Sequence, residues 1–440
     1  MTTPTLCVCN AVDTLHDFAV RTLRTARTDG GDGVEELLSE CYAQQDQALF
    51  WGPLEKMLIT YEPIGELDWQ RKFLDLPGVV NLSPAGRTGS LFADALADPG
   101  LMAAVAAHAG PGRRLRLIPH TTTADLWRFT EALFTDHGVA VELPESTPLQ
   151  SLRDQLDTKT GLRDLAADLG MTDGPCRIPP GTHCAGMDEV PAAVRAMLAT
   201  GRPCIVKPDR GEASLGLLIF RPGDDDIDAR LAASAFHGDD PVVVEEFLDG
   251  DIAFPSVEYA VPGDAPPRLC YTTDMLFEGA THLRGNVTAR ELRDRWWYRP
   301  LTAGGLRLAA EMQRRGYRGR FGIDAIARDG TVYLHDLNAR RTGSSHVHEF
   351  GAHLIGPHYL NTHAVGNYDF YGLPAGIDLP EVLRRLGRLV ASPRHAGRGV
   401  VPTELTDLRT GRLSCMFYAP SLAALHDLIT RTRAALGPHR

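Results

Sequence analysis

Residues 1–150 alternate short apolar runs with helix-length segments, and this alternation restricts the fold more than any other feature of the chain. Runs rich in Val, Leu and Ile fall at 5–9, 56–61, 79–82, 115–119 and 139–143. Between them, 90–108 and 123–137 repeat apolar residues at helical spacing. Thr123 and Asp125 give the second of these a polar start, and Gly138 stops it. Strands that alternate with helices in this way build a parallel sheet whose faces the helices cover. No Gly-x-Gly-x-x-Gly follows the first run, so a dinucleotide site is not expected there.

A chain of 440 residues exceeds one ordinary core, and two or three domains are expected. The α/β unit covers 1–150 and runs into a linker at 144–151. A central region, 151–375, reads as a helix at 161–169 stopped by Gly170, then strands and hairpins. Strands are expected at 205–208, 217–220, 242–246, 257–261, 321–327 and 331–337. The tail, 376–440, holds a helix at 379–390, strands around 400 and at 413–418, and a last helix at 421–436. The whole is therefore a mixture of α/β and α+β parts.

The composition is 43% apolar and 23% charged, that of a globular protein. A net charge of −11, from 45 basic and 56 acidic residues, argues against nucleic acid as a partner. No apolar run approaches the roughly 20 residues that span a bilayer, and no signal-peptide pattern opens the chain. A cytoplasmic protein without a membrane partner is the expectation. Cys7 and Cys9 alternate along the first strand and share a face. No Cys-x-x-Cys spacing occurs, so buried free thiols are expected. His346 and His348 lack a third ligand nearby, and zinc is not expected.

Only four lysines occur, beside 41 arginines. Two of them, Lys159 in Asp-Thr-Lys-Thr-Gly and Lys207 in Ile-Val-Lys-Pro, stand beside glycines that phosphate binding would need. An ammonium is a compact point charge suited to a phosphate oxygen. The loop from Gly211 to Gly216, with Ser214 inside it, lies between two strands, where backbone amides can form a phosphate cradle. It is not a Walker loop. The run Val242-Val-Val-Glu245-Glu246-Phe247-Leu248 reads as a buried strand entering a turn at Asp249-Gly250. Its functional reading is an adenine-binding edge, with a carboxylate near the exocyclic amine or the ribose.

The sharpest local pattern is Phe321-Gly-Ile-Asp324, Arg328-Asp-Gly330, then His335-Asp336-Leu-Asn338-Ala-Arg340. Two strands flank a turn, and a three-residue loop with Gly330 in the left-handed region is expected. That loop sets Asp324 and Asp336 on one face as near-diagonal neighbours. Asp336 and Asn338 share a face in any register. Two carboxylates and an amide oxygen suit Mg²⁺, although a solvated hairpin could carry the same residues. Arg340 is placed to neutralise charge developing on a transferring phosphoryl group or a tetrahedral intermediate. Arg341 faces the other way and reads as a surface or substrate contact.

The order of these pieces resembles the ATP-grasp ligases: Lys159, Lys207 with its glycine loop, Val-Glu-Glu-Phe-Leu, Asp324, then Asp336-Leu-Asn-Ala-Arg. The string Asp336-Leu-Asn-Ala-Arg-Arg-Thr-Gly-Ser-Ser-His346 and the small tail resemble the pheganomycin-type peptide ligases of actinomycetes. The resemblance implies a Rossmann-like pre-ATP-grasp domain, an ATP-grasp region and a small C-terminal α+β domain. It implies ATP and Mg²⁺, with Lys159 and Lys207 on the phosphates and Glu245, Glu246, Phe247 and Leu248 on the adenosine. Asp324, Asp336 and Asn338 would carry the metal. An amino-acid-like acid of the guanidino type would be phosphorylated on its carboxylate and attacked by a peptide amine, with Arg340 stabilising the intermediate. Arg284, Arg341, Gly343 and Ser344 would approach substrate, although Arg284 reads equally as a loop arginine. Asp209, Glu212, Asp274 and Glu278 could read the guanidino group. A homodimer is the usual state in the family. Other ATP-grasp phosphoryl transfer, such as a small-molecule kinase, or a nucleotide-binding regulatory module are the alternatives.

Three departures stand out. Asp occupies 336, where Glu is common, and Gly322 stands where many members have Arg. Asp251-Ile252 occupies the usual place of the ribose-binding Glu, which leaves Glu258 as the candidate for that role.

Overall fold

The computed structural model describes residues 3–14, 42, 44–211, 216–234, 236, 240–279, 282–374 and 376–437. Five parallel strands form the first sheet: β1 (Thr5–Val8), β2 (Lys56–Ile59), β3 (Val79–Leu82), β4 (Arg114–Pro119) and β5 (Ala140–Glu142). Their order is β3-β2-β1-β4-β5. The winding reverses between β1 and β4, and the carboxyl ends of those two strands flank a crevice of the kind that takes ligands. Leu6 and Val8 enter a core with Leu91 and Phe129. Cys7 and Cys9 enter the opposite core, where Phe50 and Trp51 meet Val347, Phe350 and Met416 from the far end of the chain. That second core seats the sheet on the rest of the molecule.

The helix expected over 90–108 is two, Leu91–Leu96 and Pro99–His108. Asp98 caps the second by accepting from Leu101 N at 3.0 Å, and Pro99 takes its first turn.

After β6 (Cys176–Arg177), a four-stranded antiparallel sheet follows, in the order β7-β10-β8-β9. Its strands are β7 (Gly181–Cys184), β8 (Cys204–Pro208), β9 (Leu218–Phe220) and β10 (Val242–Glu246). Val190 and Val194 of the helix Val190–Ala199 cover it with Ile227 and Leu231.

A nine-stranded sheet completes the molecule: β11 (Pro255–Val261), β12 (Arg268–Glu278), β13 (His282–Thr288), β14 (Gly319–Arg328), β15 (Thr331–Asn338), β16 (Ala364–Phe370), β17 (Gly399–Thr403), β18 (Leu413–Ala419) and β6. The order is β17-β18-β16-β13-β12-β11-β14-β15-β6. The tail strands β17 and β18 thus extend the central sheet through β16, and one core runs from Leu152 to Leu436. The helix Tyr298–Arg314 lies against β11, where Gly305 permits contact. A Cβ there would come within 2.6 Å of the Tyr259 ring. Among the described residues no helix is long and apolar enough to cross a membrane.

Candidate active site

The β14–β15 hairpin turns through Asp329 and Gly330, with φ of 50° and 76°. This is a two-residue turn, not the three-residue loop expected, and its positive φ values match the right-handed twist of the strands. In unbroken register such a turn would set Asp324 opposite His335 and send Asp336 to the other face. A bulge intervenes: Ala325 pairs with Leu334, but Asp324 pairs with Asp336, leaving His335 as the extra residue. The two carboxylates share a face because of that bulge. Asn338, opposite Gly322, donates from Nδ2 to Asp324 Oδ2 at 3.2 Å.

Burial and the neighbouring Asp336 push the Asp324 carboxyl up to about 6. Burial pushes Asp336 up as well, but Lys159, His335, Lys207 and Arg340 outweigh it and hold that group below the usual carboxylate range. Two mutually repelling carboxylates beside an amide form a donor set that a hard divalent cation neutralises. Among the described residues no cluster of three or more His, Cys, Asp or Glu forms a metal cage. Any cation here would depend on Asn338 and on ligands from outside the protein.

Lys159 is the first residue of the helix Lys159–Asp168, which Thr158 caps by accepting from Gly161 N at 2.9 Å. Asp209, just past β8, accepts from Lys159 N at 3.1 Å and from Thr160 N at 2.8 Å. The helix start is thereby tied to the strand that carries Lys207. Lys159 Nζ lies 3.7 Å from Asp336 Oδ1 and donates to Gly211 O at 3.2 Å. Lys207 Nζ contacts Glu245 Oε1, while Arg163 Nη1 lies 3.2 Å from Glu245 Oε2.

A cavity of about 530 Å³ opens between the four-stranded sheet and the β14–β15 hairpin. Lys159, Lys207, Gly211, Glu245, Glu246, Phe247, Leu248 and Asp336 line it. Ile205, Leu217, Ile252, Phe254, Phe277 and Ile326 add apolar walls. A second cavity, of about 420 Å³, shares Lys159, Gly211 and Asp336 with the first. It adds Asn338 and Arg340, then Asp13, Thr123, Arg153, Asp154, Asp157 and Arg210. Asp13 follows β1 and Thr123 follows β4, so this cavity occupies the crevice where the strand order reverses. Arg340 Nε lies 3.8 Å from Asp157 Oδ2, and Asp157 Oδ1 accepts from Ala339 N at 2.7 Å, fixing the backbone that presents Arg340.

Other expected site residues lie elsewhere. Glu258, the ribose candidate, is 1% exposed, accepts from Arg320 Nη1 and Tyr271 OH at 2.8 Å each, and lines neither cavity. Arg341 is not a surface residue. Its backbone donates to His120 O at 3.1 Å as the chain crosses to the first sheet, and its guanidinium is buried against Glu349 at 2.7 Å and Glu145 at 2.8 Å, over the Trp51 ring. Arg284 pairs with Glu278 and stacks on Tyr371, and it lines neither cavity. Ser344 is buried against Tyr271, and Gly343 lines neither cavity. Gly216 takes a φ of 73° at the end of its loop, beside Leu217 of the first cavity. Ser214 and Glu212 lie outside the described residues. Of the other candidates for a guanidino group, Asp209 caps the Lys159 helix, while Asp274 and Glu278 line neither cavity.

Sequence reasoning missed His335, whose bulge no residue pattern announces. It lines the first cavity and is pushed down to about 3 by burial and by Lys207. It also missed Asp13, Asp154 and Asp157, although the rule that ligands bind past the ends of β1 and β4 points to Asp13.

No protein-family model matches the chain. Over 272 residues it is 27% identical to the formate-dependent phosphoribosylglycinamide formyltransferase of Oleidesulfovibrio alaskensis, covering 60% of this chain and 61% of that relative. The chain therefore spans less than two thirds of the curated relative's length. The N5-carboxyaminoimidazole ribonucleotide synthetase of Thermus thermophilus superposes with a TM-score of 0.55 at 13% identity, covering 99% of each chain. The N5-carboxyaminoimidazole synthase of Aspergillus clavatus, solved with ADP and an aminoimidazole ribonucleotide, gives the same three values. The biotin carboxylase of Campylobacter jejuni gives a TM-score of 0.54 at 11% identity, covering 97% of this chain and 90% of that one. These likenesses show the fold alone: the chain shares the mixed α/β architecture of those synthetases and of that biotin carboxylase.

Proposed function

We propose that the chain is an ADP-forming carboxylate–amine ligase that joins an amino-acid-like acid to the amine of a peptide. The observation that carries this reading is the meeting of two cavities at Lys159, Gly211 and Asp336. The first, apolar-walled and bearing both lysines, suits ATP. The second opens on the crevice of the parallel sheet and suits the acid. The shared residues mark where a γ-phosphoryl group passes from one to the other.

Phe247, Leu248 and their apolar neighbours take the adenine, and Asp249, at the cavity rim, replaces Glu258 as the candidate for the ribose. Lys207 and Lys159 bind phosphate oxygens. Asp324, Asp336 and Asn338 fit Mg²⁺, which when bound supplies positive charge beside the phosphates. An acid carboxylate oxygen attacks the γ-phosphorus, and ADP leaves. The peptide amine attacks the carbonyl of the resulting acyl phosphate, Arg340 balances the tetrahedral oxyanion, and inorganic phosphate departs as the amide forms. Catalysis is positioning and electrostatics, with no covalent enzyme intermediate.

The amino-acid character of the acid is supported by the mixed charge around the second cavity. Arg340, Arg210 and Lys159 can meet a carboxylate, while Asp13 and Asp154 can meet an ammonium or guanidinium. Release of ADP and phosphate from Mg²⁺ and ATP is measured with a guanidino-acid and a short peptide, separately and together. Release that needs both, with a new peptide mass, is expected. Release with the acid alone and a stable phosphorylated product would make the enzyme a kinase.

A further inference from the structure

Glu245 is buried, with 5% of its side chain exposed, and holds two cations at once. Lys207, from the neighbouring strand β8, takes Oε1, and Arg163, from the helix that carries Lys159, takes Oε2 at 3.2 Å. Arg163 also donates to Pro179 O at 3.2 Å and to Gly181 O at 2.7 Å. Gly181 pairs with Glu245 across the β7–β10 ladder. Arg163 therefore clamps the helix to the strand edge beneath the nucleotide cavity. Among the described residues Lys207 is the one cation on Glu245 that faces the cavity, since Lys207 and Glu245 line it and Arg163 does not.

This arrangement raises a problem that the proposed nucleotide site must solve. For Lys207 to meet a phosphate, its ammonium must give up part of its contact with Glu245. A buried carboxylate stripped of its only counter-charge is strongly unfavourable. A second, fixed cation on the other oxygen removes that penalty.

We propose that Arg163 is a positioning residue for nucleotide binding: it remains on Glu245 as counter-charge, so that Lys207 can turn from Glu245 to the phosphates. Its three anchoring acceptors, two of them backbone carbonyls, keep it in place while Lys207 moves. Arg163 acts through Glu245 and Lys207 and touches neither nucleotide nor acid. The inference rests on the reading of the first cavity as the ATP site.

The test compares equilibrium binding of Mg²⁺–ATP and of adenosine to the full chain. The variants are Arg163→Gln, Arg163→Lys and the double variant Arg163→Gln/Glu245→Gln. With Arg163→Gln, Lys207 is held on Glu245, and ATP affinity is expected to fall at least about tenfold while adenosine affinity holds. Arg163→Lys should keep most of the affinity. The double variant, in which no carboxylate traps Lys207, should recover ATP binding relative to Arg163→Gln alone. A merely structural role predicts no such recovery, because the double variant removes still more contacts. Equal ATP affinity in the parent and Arg163→Gln, or no recovery in the double variant, overturns the inference. Absence of ATP binding in the parent overturns the nucleotide-site reading itself, a separate outcome. Thermal unfolding of each variant identifies any that is not folded.

Discussion

Lys207 and Arg341 are buried and Asp336 is half-buried, yet their partners give these charged side chains different consequences when lost. Lys207 and Asp336 point into a cavity and have only part of their charge met by protein. Lys207→Ala and Asp336→Ala should each lower turnover on the order of 10²-fold or more, the scale for losing a preorganised charge. Initial rates at saturating ATP check this, and near-parental rates in either variant would remove the assignment. Arg341, 1% exposed between Glu145 and Glu349, is a different case. Arg341→Ala leaves the buried Glu349 and the half-buried Glu145 with Arg320 alone, and losing these charge-assisted hydrogen bonds should cost about 1.5–3 kcal/mol of stability. The ATP affinity of the folded fraction should not change. Denaturant unfolding and nucleotide titration on the same sample separate the two effects.

At the scale of elements, the helix pair 150–156 and 159–168 has little room. A Cβ on Gly161 would lie 1.9 Å from Gln155 O, so Gly161→Ala must push the second helix away and carry Lys159 with it. Loss of both thermal stability and ATP affinity is expected, and unchanged affinity would show that Lys159 is placed by Asp209 alone. The β14–β15 hairpin shows how much of the site was legible. Residue types at 324, 336 and 338 pointed to a metal-binding face, and alternation alone put Asp336 with Asn338. Asp324 joined them through a bulge at His335, a cross-strand event that a linear pattern does not encode. The lysines were legible as rare residues beside glycines. Arg163 was not, because in a chain with 41 arginines only its partners distinguish it. Glu258 and Arg341 read as site residues because chain position suggested proximity. The strands β6, β7, β12, β13 and β16 were not expected; β6 has only two residues, and in β12 Arg268–Glu278 has only a short buried stretch among half-exposed residues.

At the scale of the whole molecule, three sheets meet around the two cavities, and buried polar contacts join distant parts of the chain. Asp46, from the first unit, accepts from Thr406 N at 3.0 Å and from Thr406 Oγ1 at 2.7 Å. Burial pushes its carboxyl up to about 7. In the unfolded chain an aspartate titrates at about 4. Between those values the folded state binds more protons than the unfolded state, so this group makes stability fall as pH rises from about 4 to 7. Asp46→Asn should remove that slope. Its unfolding midpoint relative to the parent should improve from pH 5 to pH 8, and a constant difference would show that Asp46 is ionised throughout.

An acyl phosphate formed where the two cavities meet is the central step of the proposed reaction. The direct measurement supplies the acid with ¹⁸O in its carboxylate, together with the peptide amine, ATP and Mg²⁺, and follows the label by mass. One ¹⁸O appearing in inorganic phosphate for each amide formed is the predicted result. Amide formation that leaves the phosphate unlabelled would contradict phosphorylation of the acid and, with it, the reading of Lys159 and Asp336 as the point of transfer.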